Sequence, residues 1–147
     1  MQQSLIFYRL TLTLSPAAAD TIKCFLMDTK KKPSDFDVIL TGDLGEVGSQ
    51  LLIELLQKEN INISCNHKDC GIMIFDKETQ DTHAGGSGCG CSASVLCGYF
   101  MKRIKSESIK NLLFVGTGAL MSPTLVNQSE SIPAIAHSVW ISSDTEG

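Results

Sequence analysis

The chain has 147 residues, a length that suits one domain with a sizeable core. Apolar residues make up 43% and charged residues 19%, which is typical of a globular protein and excludes a largely disordered one. The net charge of −4, with no basic cluster beyond Lys30-Lys31-Lys32, speaks against a nucleic-acid partner.

The N-terminal segment has the pattern of a strand followed by a helix start. Arg9–Leu14 alternates polar and apolar residues, which predicts a short strand. Ser15 as N-cap and Pro16 at the first helical position then predict a helix that continues through Ala17–Met27. The same region partly resembles a signal peptide, but no Lys or Arg precedes its apolar part and Arg9 interrupts it.

The next stretch predicts a strand, a helix and a second strand. Asp37–Thr41 is a short apolar run typical of a buried strand, and a helix with an apolar stripe follows. Asp43 and Glu46 have the spacing of a cap and its reciprocal partner at the start of that helix. Asn60–Asp69 is predicted to be a polar loop, and Gly71–Phe75 a strand.

A glycine-rich loop, Gly85–Ser94, has four glycines in ten residues and leads into a third helix. Ser92 or Ser94 is the predicted N-cap. A loop of this kind gathers free N–H groups at a helix N-terminus, where an anion binds well. A tight helix entry without a ligand is the alternative, and the loop residues alone favour it. In either case we expect Gly88 and Gly90 to tolerate no bulk. The helix presents an apolar stripe: Val95, Leu96, Tyr99, Phe100 and Ile104.

The C-terminal part predicts two strands with no helix between them. Asn111–Val115 is a buried strand that ends in a turn at Gly116–Gly118, and Ile135–Ile141 alternates as the last strand. Residues 122–131 are predicted as loop and residues 142–147 as a frayed tail. Because strands and helices otherwise alternate, we expect a mostly parallel sheet covered by helices, with an antiparallel final pair.

The cysteines and histidines give weak signals for chemistry. Cys65 and Cys70 could join the pair Cys89 and Cys91 as metal ligands, but the spacing is not that of the common zinc modules, so we expect free thiols and no metal. A thiolate at the helix N-terminus would still need a base. His137 is interpreted as a core histidine, and His67 and His83 as solvated loop residues.

Several segments, in order, resemble the stage V sporulation protein AD family of endospore-forming bacteria. The distinctive motifs are Thr41-Gly42-Asp43-Leu44-Gly45 and Gly88-Cys89-Gly90-Cys91-Ser92. The resemblance covers about residues 16–147 and also includes the segments 16–22, 35–45, 86–93, 116–123 and 132–137.

That family is similar to thiolases and ketoacyl synthases, whose fold has two similar halves. The resemblance implies an α/β fold in which residues 15–147 form a thiolase-like C-terminal domain, with a mixed, mostly parallel sheet flanked by helices. Residues 1–14 would be a divergent leader. A lone half is expected to self-associate through the apolar stripe of its third helix, or to need the missing N-terminal half.

The resemblance also implies a protein that binds and does not catalyse. Condensing enzymes of the superfamily take their nucleophilic Cys from the first half and place a catalytic His in the turn where this chain has Gly42 and Asp43, so we expect a pseudoenzyme without cofactors. The family is implied to bind dipicolinic acid for uptake into the spore and release on germination. It would do so peripherally at the spore inner membrane, with other stage V sporulation A membrane proteins, or otherwise lie in the cytoplasm. A thiolase-like acyltransferase is the alternative. The expected ligand-binding residues are Gly42, Asp43, Gly86, Ser87, Gly88, Cys89, Gly116, Thr117 and Gly118.

Overall fold

A four-stranded sheet flanked by helices forms the centre of the molecule, which confirms the α/β fold. The computed structural model describes residues 2–76, 78–119, 122, 124, 128 and 133–143. The strands are β1 (Val38–Thr41), β2 (His67–Asp69), β3 (Asn111–Ala119) and β4 (Ala134–Ser142). The helices are α1 (Gln2–Thr29), α2 (Gly45–Lys58), α3 (Cys70–Met73), α4 (Cys91–Val95) and α5 (Met101–Lys105), with a π-helical turn at Leu96–Phe100 joining α4 to α5 and a 3-10 turn at Pro33–Asp35.

The strands lie in the order β2-β1-β3-β4, with β1 parallel to both of its neighbours. β3 and β4 pair antiparallel over their whole length, from Asn111 opposite Ser142 to Ala119 opposite Ala134. The predicted mostly parallel sheet with an antiparallel final pair is therefore confirmed. The predicted loop at 122–131 and the last four residues of the predicted tail at 142–147 lie largely outside the described residues. Ser142, predicted as the first residue of that tail, is instead the last residue of β4.

Each face of the sheet carries its own hydrophobic core, because successive side chains of a strand point to opposite faces. On one face, Ile39, Leu113 and Val115 pack against α1 and α2. On the other, Leu40 and Leu112 pack against the helical segment 91–105. The short, mostly buried strand β1 and the buried first half of β3 thus hold two helical layers together.

The N-terminal prediction of a strand at Arg9–Leu14 and a helix start at Ser15 is wrong. α1 is continuous from Gln2 to Thr29 and contains Pro16 in its interior, where proline removes one backbone hydrogen bond. Leu14, Ala18, Ile22 and Leu26 are buried at four-residue intervals, so one apolar stripe crosses the proline. Ser15 does not cap the helix, since its buried hydroxyl donates to the Gly48 carbonyl of α2 at 3.0 Å.

Two predictions around residue 70 are also wrong. The polar residues of β2 form a short strand within the predicted loop, paired with β1. Gly71–Phe75 is not a strand, because α3 occupies Cys70–Met73. A short apolar run is ambiguous between strand and buried helix, and here the carboxylate of Asp69 decides by capping the turn through the Ile72 amide at 3.2 Å.

The helix predicted after the glycine loop corresponds to the helical segment 91–105. Part of its apolar stripe is buried as predicted, but the helix starts at a different residue and another part of the stripe is exposed. Its N-cap is Gly90, with no side-chain cap, so neither Ser92 nor Ser94 serves. Val95, Phe100 and Ile104 are buried against the sheet, whereas Tyr99 is 41% exposed. The stripe is therefore mostly used inside the fold and is not an open surface for self-association.

Strand β4 leaves one apolar face uncovered instead. Ile135 and Val139 are each 55% exposed, and His137 between them is exposed, so its interpretation as a core histidine is wrong. Gly116–Gly118 is not a turn, because β3 continues through it to Ala119 and pairs with β4.

The glycines that pack closely are not the two expected from the sequence. A Cβ at Gly88 or Gly90 would meet no atom within 4 Å, although Gly88 has φ +152 and so favours glycine. By contrast, a Cβ at Gly71 would overlap the Gly86 carbonyl oxygen, and one at Gly86 would overlap the Phe75 ring. The loop is held at Gly71 and Gly86, where the Gly86 amide donates to the Gly71 carbonyl at 2.7 Å.

This packing predicts opposite tolerance at two glycines. Gly71→Ala should lower the free energy of unfolding by about 2–4 kcal/mol, the range of severe local lesions, because backbone has to move to admit the methyl group. Gly90→Ala should change it by less than about 0.5 kcal/mol. Urea unfolding monitored by circular dichroism measures both, and equal stability of the two variants would contradict the close contact at Gly71.

Candidate functional site

Three of the segments singled out from the sequence meet at the carboxylate of Asp43. This residue follows β1, at the edge of the sheet where the parallel strands end. Its Oδ2 accepts a hydrogen bond from the Ser87 hydroxyl at 2.7 Å and faces the Gly88 amide at 3.4 Å. Its Oδ1 accepts from the Thr117 hydroxyl at 3.0 Å, and the Asp43 amide donates back to that hydroxyl oxygen at 3.3 Å. One carboxylate thus ties the end of β1 to β3 and to the glycine loop.

Gly42 allows this close approach. Its amide donates to the Val115 carbonyl at 3.0 Å. A Cβ at this position would lie 2.5 Å from the Thr117 hydroxyl oxygen and 3.1 Å from the Ser92 hydroxyl oxygen. A larger residue at position 42 would therefore push Thr117 away from Asp43.

The remaining predicted ligand residues lie around this junction without joining it. Gly86 faces Phe75 and Gly71, and Cys89 is exposed on the loop. Gly116 lies opposite His137, and Gly118 opposite Ile135, both within the β3–β4 pair. The structure brings together Gly42, Asp43, Ser87, Gly88 and Thr117, whereas Gly86, Cys89, Gly116 and Gly118 make no hydrogen bond to Asp43 within the described residues.

Asp43 does not cap α2, contrary to the prediction from its spacing to Glu46. The N-cap is Leu44, which has the helical backbone angles φ −70 and ψ −28. The Leu44 side chain makes no capping hydrogen bond. The amides of Leu44 and Gly45 donate instead to Asp69, each at 3.0 Å. The capping group thus comes from the neighbouring strand, 24 and 25 positions along the chain.

Asp69 is the residue that the sequence reasoning missed. It is 2% exposed and accepts hydrogen bonds from four donors. Besides the amides of Leu44, Gly45 and Ile72, the Thr41 hydroxyl donates to its Oδ2 at 2.6 Å. An aspartate two residues before a glycine in an unpatterned polar stretch gave no signal of this role.

A half-buried polar group, His67, continues this network. Its Nε2 lies 3.0 Å from the Thr41 hydroxyl oxygen. Since that hydroxyl donates to Asp69, the imidazole Nε2–H is assigned as donor to Thr41. Burial, with Lys68 nearby, lowers the pKa of His67 to about 4, and burial raises the pKa of Asp69 against the effect of its hydrogen bonds. His67 is therefore half-buried and neutral, which corrects its interpretation as a solvated loop residue.

The start of the helical segment 91–105 leaves donors unused. Among the described residues, the amides of Cys89 and Gly90 have no hydrogen-bond partner, and no side chain caps the helix. Beside it lies an apolar groove of about 310 Å³ lined by Met73, Ile74, Ser94, Val95, Gly98 and Tyr99. Ser94 connects the helix start to this groove, because it lines the groove and its hydroxyl donates to the Gly90 carbonyl at 2.7 Å.

Comparison with known proteins identifies the family. The family model of stage V sporulation protein AD matches residues 8–142. The chain belongs to the stage V sporulation protein AD family. Stage V sporulation protein AD of Bacillus subtilis (strain 168) is 43% identical over 126 residues, which are 86% of this chain and 37% of that protein. The chain therefore spans little more than a third of the length of this relative. The family name supports a role in sporulation. Within the described residues, no helix is long and apolar enough to cross a bilayer.

The buried thiols of this family member are poor nucleophiles. Burial raises the pKa of Cys70 to about 12, and burial also raises the pKa of Cys91, with Asp43 and Asp69 adding to both effects. Because the thiolate is the reactive form, the raised pKa disfavours each of these thiols as a nucleophile near neutral pH. All six cysteines are free thiols in the structure, and no group of three or more His, Cys, Asp or Glu residues suited to a metal ion occurs within its described part.

The four-donor arrangement predicts that Asp69→Asn is strongly destabilising. Each carboxylate oxygen faces two donors, so an amide nitrogen in place of either oxygen leaves two donors unpaired. We expect the free energy of unfolding to fall by about 2–4 kcal/mol. Asp81→Asn, which changes a side chain that is 86% exposed, is the matched control and should cost less than about 0.5 kcal/mol. Equal melting temperatures for Asp69→Asn and the parent would contradict the assignment.

The lowered pKa of His67 predicts a pH-dependent loss of stability. A group whose pKa is lowered on folding stabilises the folded state fully at pH values above its ordinary pKa, which is 6.5 for histidine. This contribution is lost as the pH falls from 6.5 towards about 4, the pKa of His67 in the folded state. The upper bound for this loss is about 3 kcal/mol. Unfolding measured from pH 7 to pH 4 should show a smaller fall for His67→Gln than for the parent, whereas His83→Gln, at a side chain 90% exposed, should leave the fall unchanged. Comparing variants separates this effect from that of Asp69.

Proposed function

We propose that this chain contributes to binding dipicolinic acid during sporulation, as a non-catalytic part of the membrane assembly that moves this compound into the spore. The support is its membership of the stage V sporulation protein AD family together with the geometry of the glycine loop. In this proposal the protein acts peripherally at the spore inner membrane and works with other stage V sporulation A membrane proteins.

The observation that carries the binding proposal is the uncapped start of the helix at Gly90. The unused amides of Cys89 and Gly90 lie at the N-terminal end of fifteen helical residues, where the helix dipole favours a negative charge. One carboxylate of dipicolinate would accept from these amides. The pyridine ring would lie along the neighbouring apolar groove that begins at Ser94 and reaches Tyr99.

Asp43 has a structural part in this proposal. Its carboxylate already uses the hydroxyls of Ser87 and Thr117, so these donors hold the loop and are not available to a ligand. This revises the role expected for Ser87 and Thr117 from ligand contacts to loop supports. The charge of Asp43 would also repel a dianion, and we therefore expect weak binding that falls as salt is added to compete for the anion site.

The proposal predicts that a carboxylate placed at the helix start blocks the ligand without harming the fold. Gly90→Asp puts a negative charge at the N-cap, in a position where a Cβ meets no atom within 4 Å. Isothermal titration with sodium dipicolinate, in the presence of a metal chelator, should give a saturable heat for the parent and for Gly90→Ala. The same titration should give none for Gly90→Asp, which should melt no lower than Gly90→Ala.

Two results would contradict this binding mode. One is no saturable heat from the parent at millimolar dipicolinate, and the other is equal binding by Gly90→Asp. The acyltransferase alternative is tested separately, by incubating the chain with an acyl-coenzyme A. We expect neither free coenzyme A nor a mass increase of the protein, since the raised pKa values of Cys70 and Cys91 disfavour a thiolate.

A further inference from the structure

Part of the outer edge of β4 is open for strand pairing. The Ser143 amide donates to the Lys110 carbonyl at 2.9 Å, so Ser143 points its backbone groups towards β3. The neighbouring residue Ser142, the last of β4, lies opposite Asn111. In an antiparallel pair the backbone groups of alternate residues point towards the partner strand. The even-numbered residues of β4, including Ala136, Ser138 and Trp140, therefore point their N–H and C=O groups outward.

Part of that edge is occupied by α1, and the rest is not. The Thr21 hydroxyl of α1 donates to the Ala136 carbonyl at 3.0 Å, which agrees with the outward direction of that carbonyl group. Within the described part of the chain, the outward N–H and C=O groups of Ser138 and Trp140 have no hydrogen-bond partner. The nine residues of β4 contain no proline and no Asp, Glu, Lys or Arg, the residues that normally protect an edge strand.

A groove of about 410 Å³ separates this edge from α1 and has an acidic wall. Its lining includes Ala136, His137 and Ser138 of β4 and, on α1, the exposed residues Asp20 and Asp28. α1 runs alongside β4 in the same direction, because Thr21 contacts Ala136 at one end and the Lys31 ammonium lies 5.1 Å from the Trp140 ring centre at the other. Lys31 is thus at one end of the groove, beyond Asp28.

The spacing of the two carboxylates matches the repeat of an extended peptide. Eight helical residues from Asp20 to Asp28 correspond to a rise of about 12 Å. Four residues of a strand rise about 13 Å and return to the same face. Basic side chains four residues apart on one strand would therefore both face α1. Apolar side chains at the intervening positions would extend the uncovered face that Ile135 and Val139 form.

We propose that the groove between α1 and the edge of β4 binds an extended peptide segment of a partner protein, which adds a fifth strand next to β4 and carries basic residues four positions apart. Main-chain hydrogen bonds to Ser138 and Trp140 provide the pairing, and the carboxylates of Asp20 and Asp28 select the charge. A second copy of this chain is a poorer occupant, because pairing two β4 edges about a two-fold axis would bring the acidic walls of both grooves together. This interaction surface does not depend on the dipicolinate proposal.

A short synthetic peptide tests the proposal directly. The probe is acetyl-Thr-Lys-Val-Thr-Val-Lys-Thr-amide with a fluorescent label, titrated with the 147-residue chain at low salt and followed by fluorescence anisotropy. We expect saturable binding together with slower hydrogen exchange at the amides of Ser138 and Trp140. The peptide with Glu in place of both Lys should not bind. The Lys peptide N-methylated at alternate residues should also fail, since it keeps the charge and loses the pairing donors.

The protein variants separate charge from fold. Asp20→Asn combined with Asp28→Asn should weaken binding about three- to twentyfold, the range expected for two exposed ion pairs. Glu54→Gln, an exposed acidic residue of α2, is the matched control and should leave binding unchanged. The proposal is overturned if the Glu peptide binds equally, or if the N-methylated peptide does. It is also overturned if the chain forms a dimer that protects the amides of Ser138 and Trp140 without peptide.

Discussion

The buried carboxylate of Asp69 is the constraint on which the arrangement of this fold most depends. Its two oxygens collect the Thr41 hydroxyl at the end of β1, the first amides of α2 and an amide of α3. These groups would otherwise be buried donors without acceptors, which is costly in a core. Because β2 delivers Asp69 from beside β1, a three-residue strand without apolar character is sufficient to fix where two helices begin.

The Asp43 junction depends on that arrangement. With Asp69 capping α2, the side chain of Asp43 is free to turn towards β3 and the glycine loop, where it meets Thr117 and Ser87. The sequence pattern predicted that Asp43 would cap α2, but in the structure Asp69 caps this helix and Asp43 holds the glycine loop against β3. The loop is fixed at Asp43 from one side and at Gly71 from the other, and the unused amides of Cys89 and Gly90 lie on the part between these supports and the helix.

The sequence predicted what local periodicity and composition determine. The buried run of β1, the apolar stripe of α2, the alternation in β4 and the sheet class were all predictable from the sequence. The family resemblance added candidate ligand residues from the Thr41–Gly45 and Gly85–Ser94 motifs, but not the hydrogen bonds that join the two motifs at Asp43. It failed where a distant partner overrides a local signal. Ser15 and Pro16 look like a helix start, yet the buried stripe from Leu14 to Leu26 continues α1 through them. Asp69 and His67 gave no pattern, since their roles arise only when β2 lies beside β1.

The sheet order has a consequence for how the molecule comes together. The central strand β1 pairs with β3 from Val38 opposite Leu112 onwards, so a contact at the middle of the sheet joins parts of the chain 74 residues apart. Closing so long a loop costs entropy before any pairing is gained, and topologies of this kind fold slowly. α1, α2 and β1 must therefore wait for the last third of the chain before either core is complete. During synthesis, the glycine loop emerges from the ribosome before Thr117, the residue that holds Asp43 in place for it.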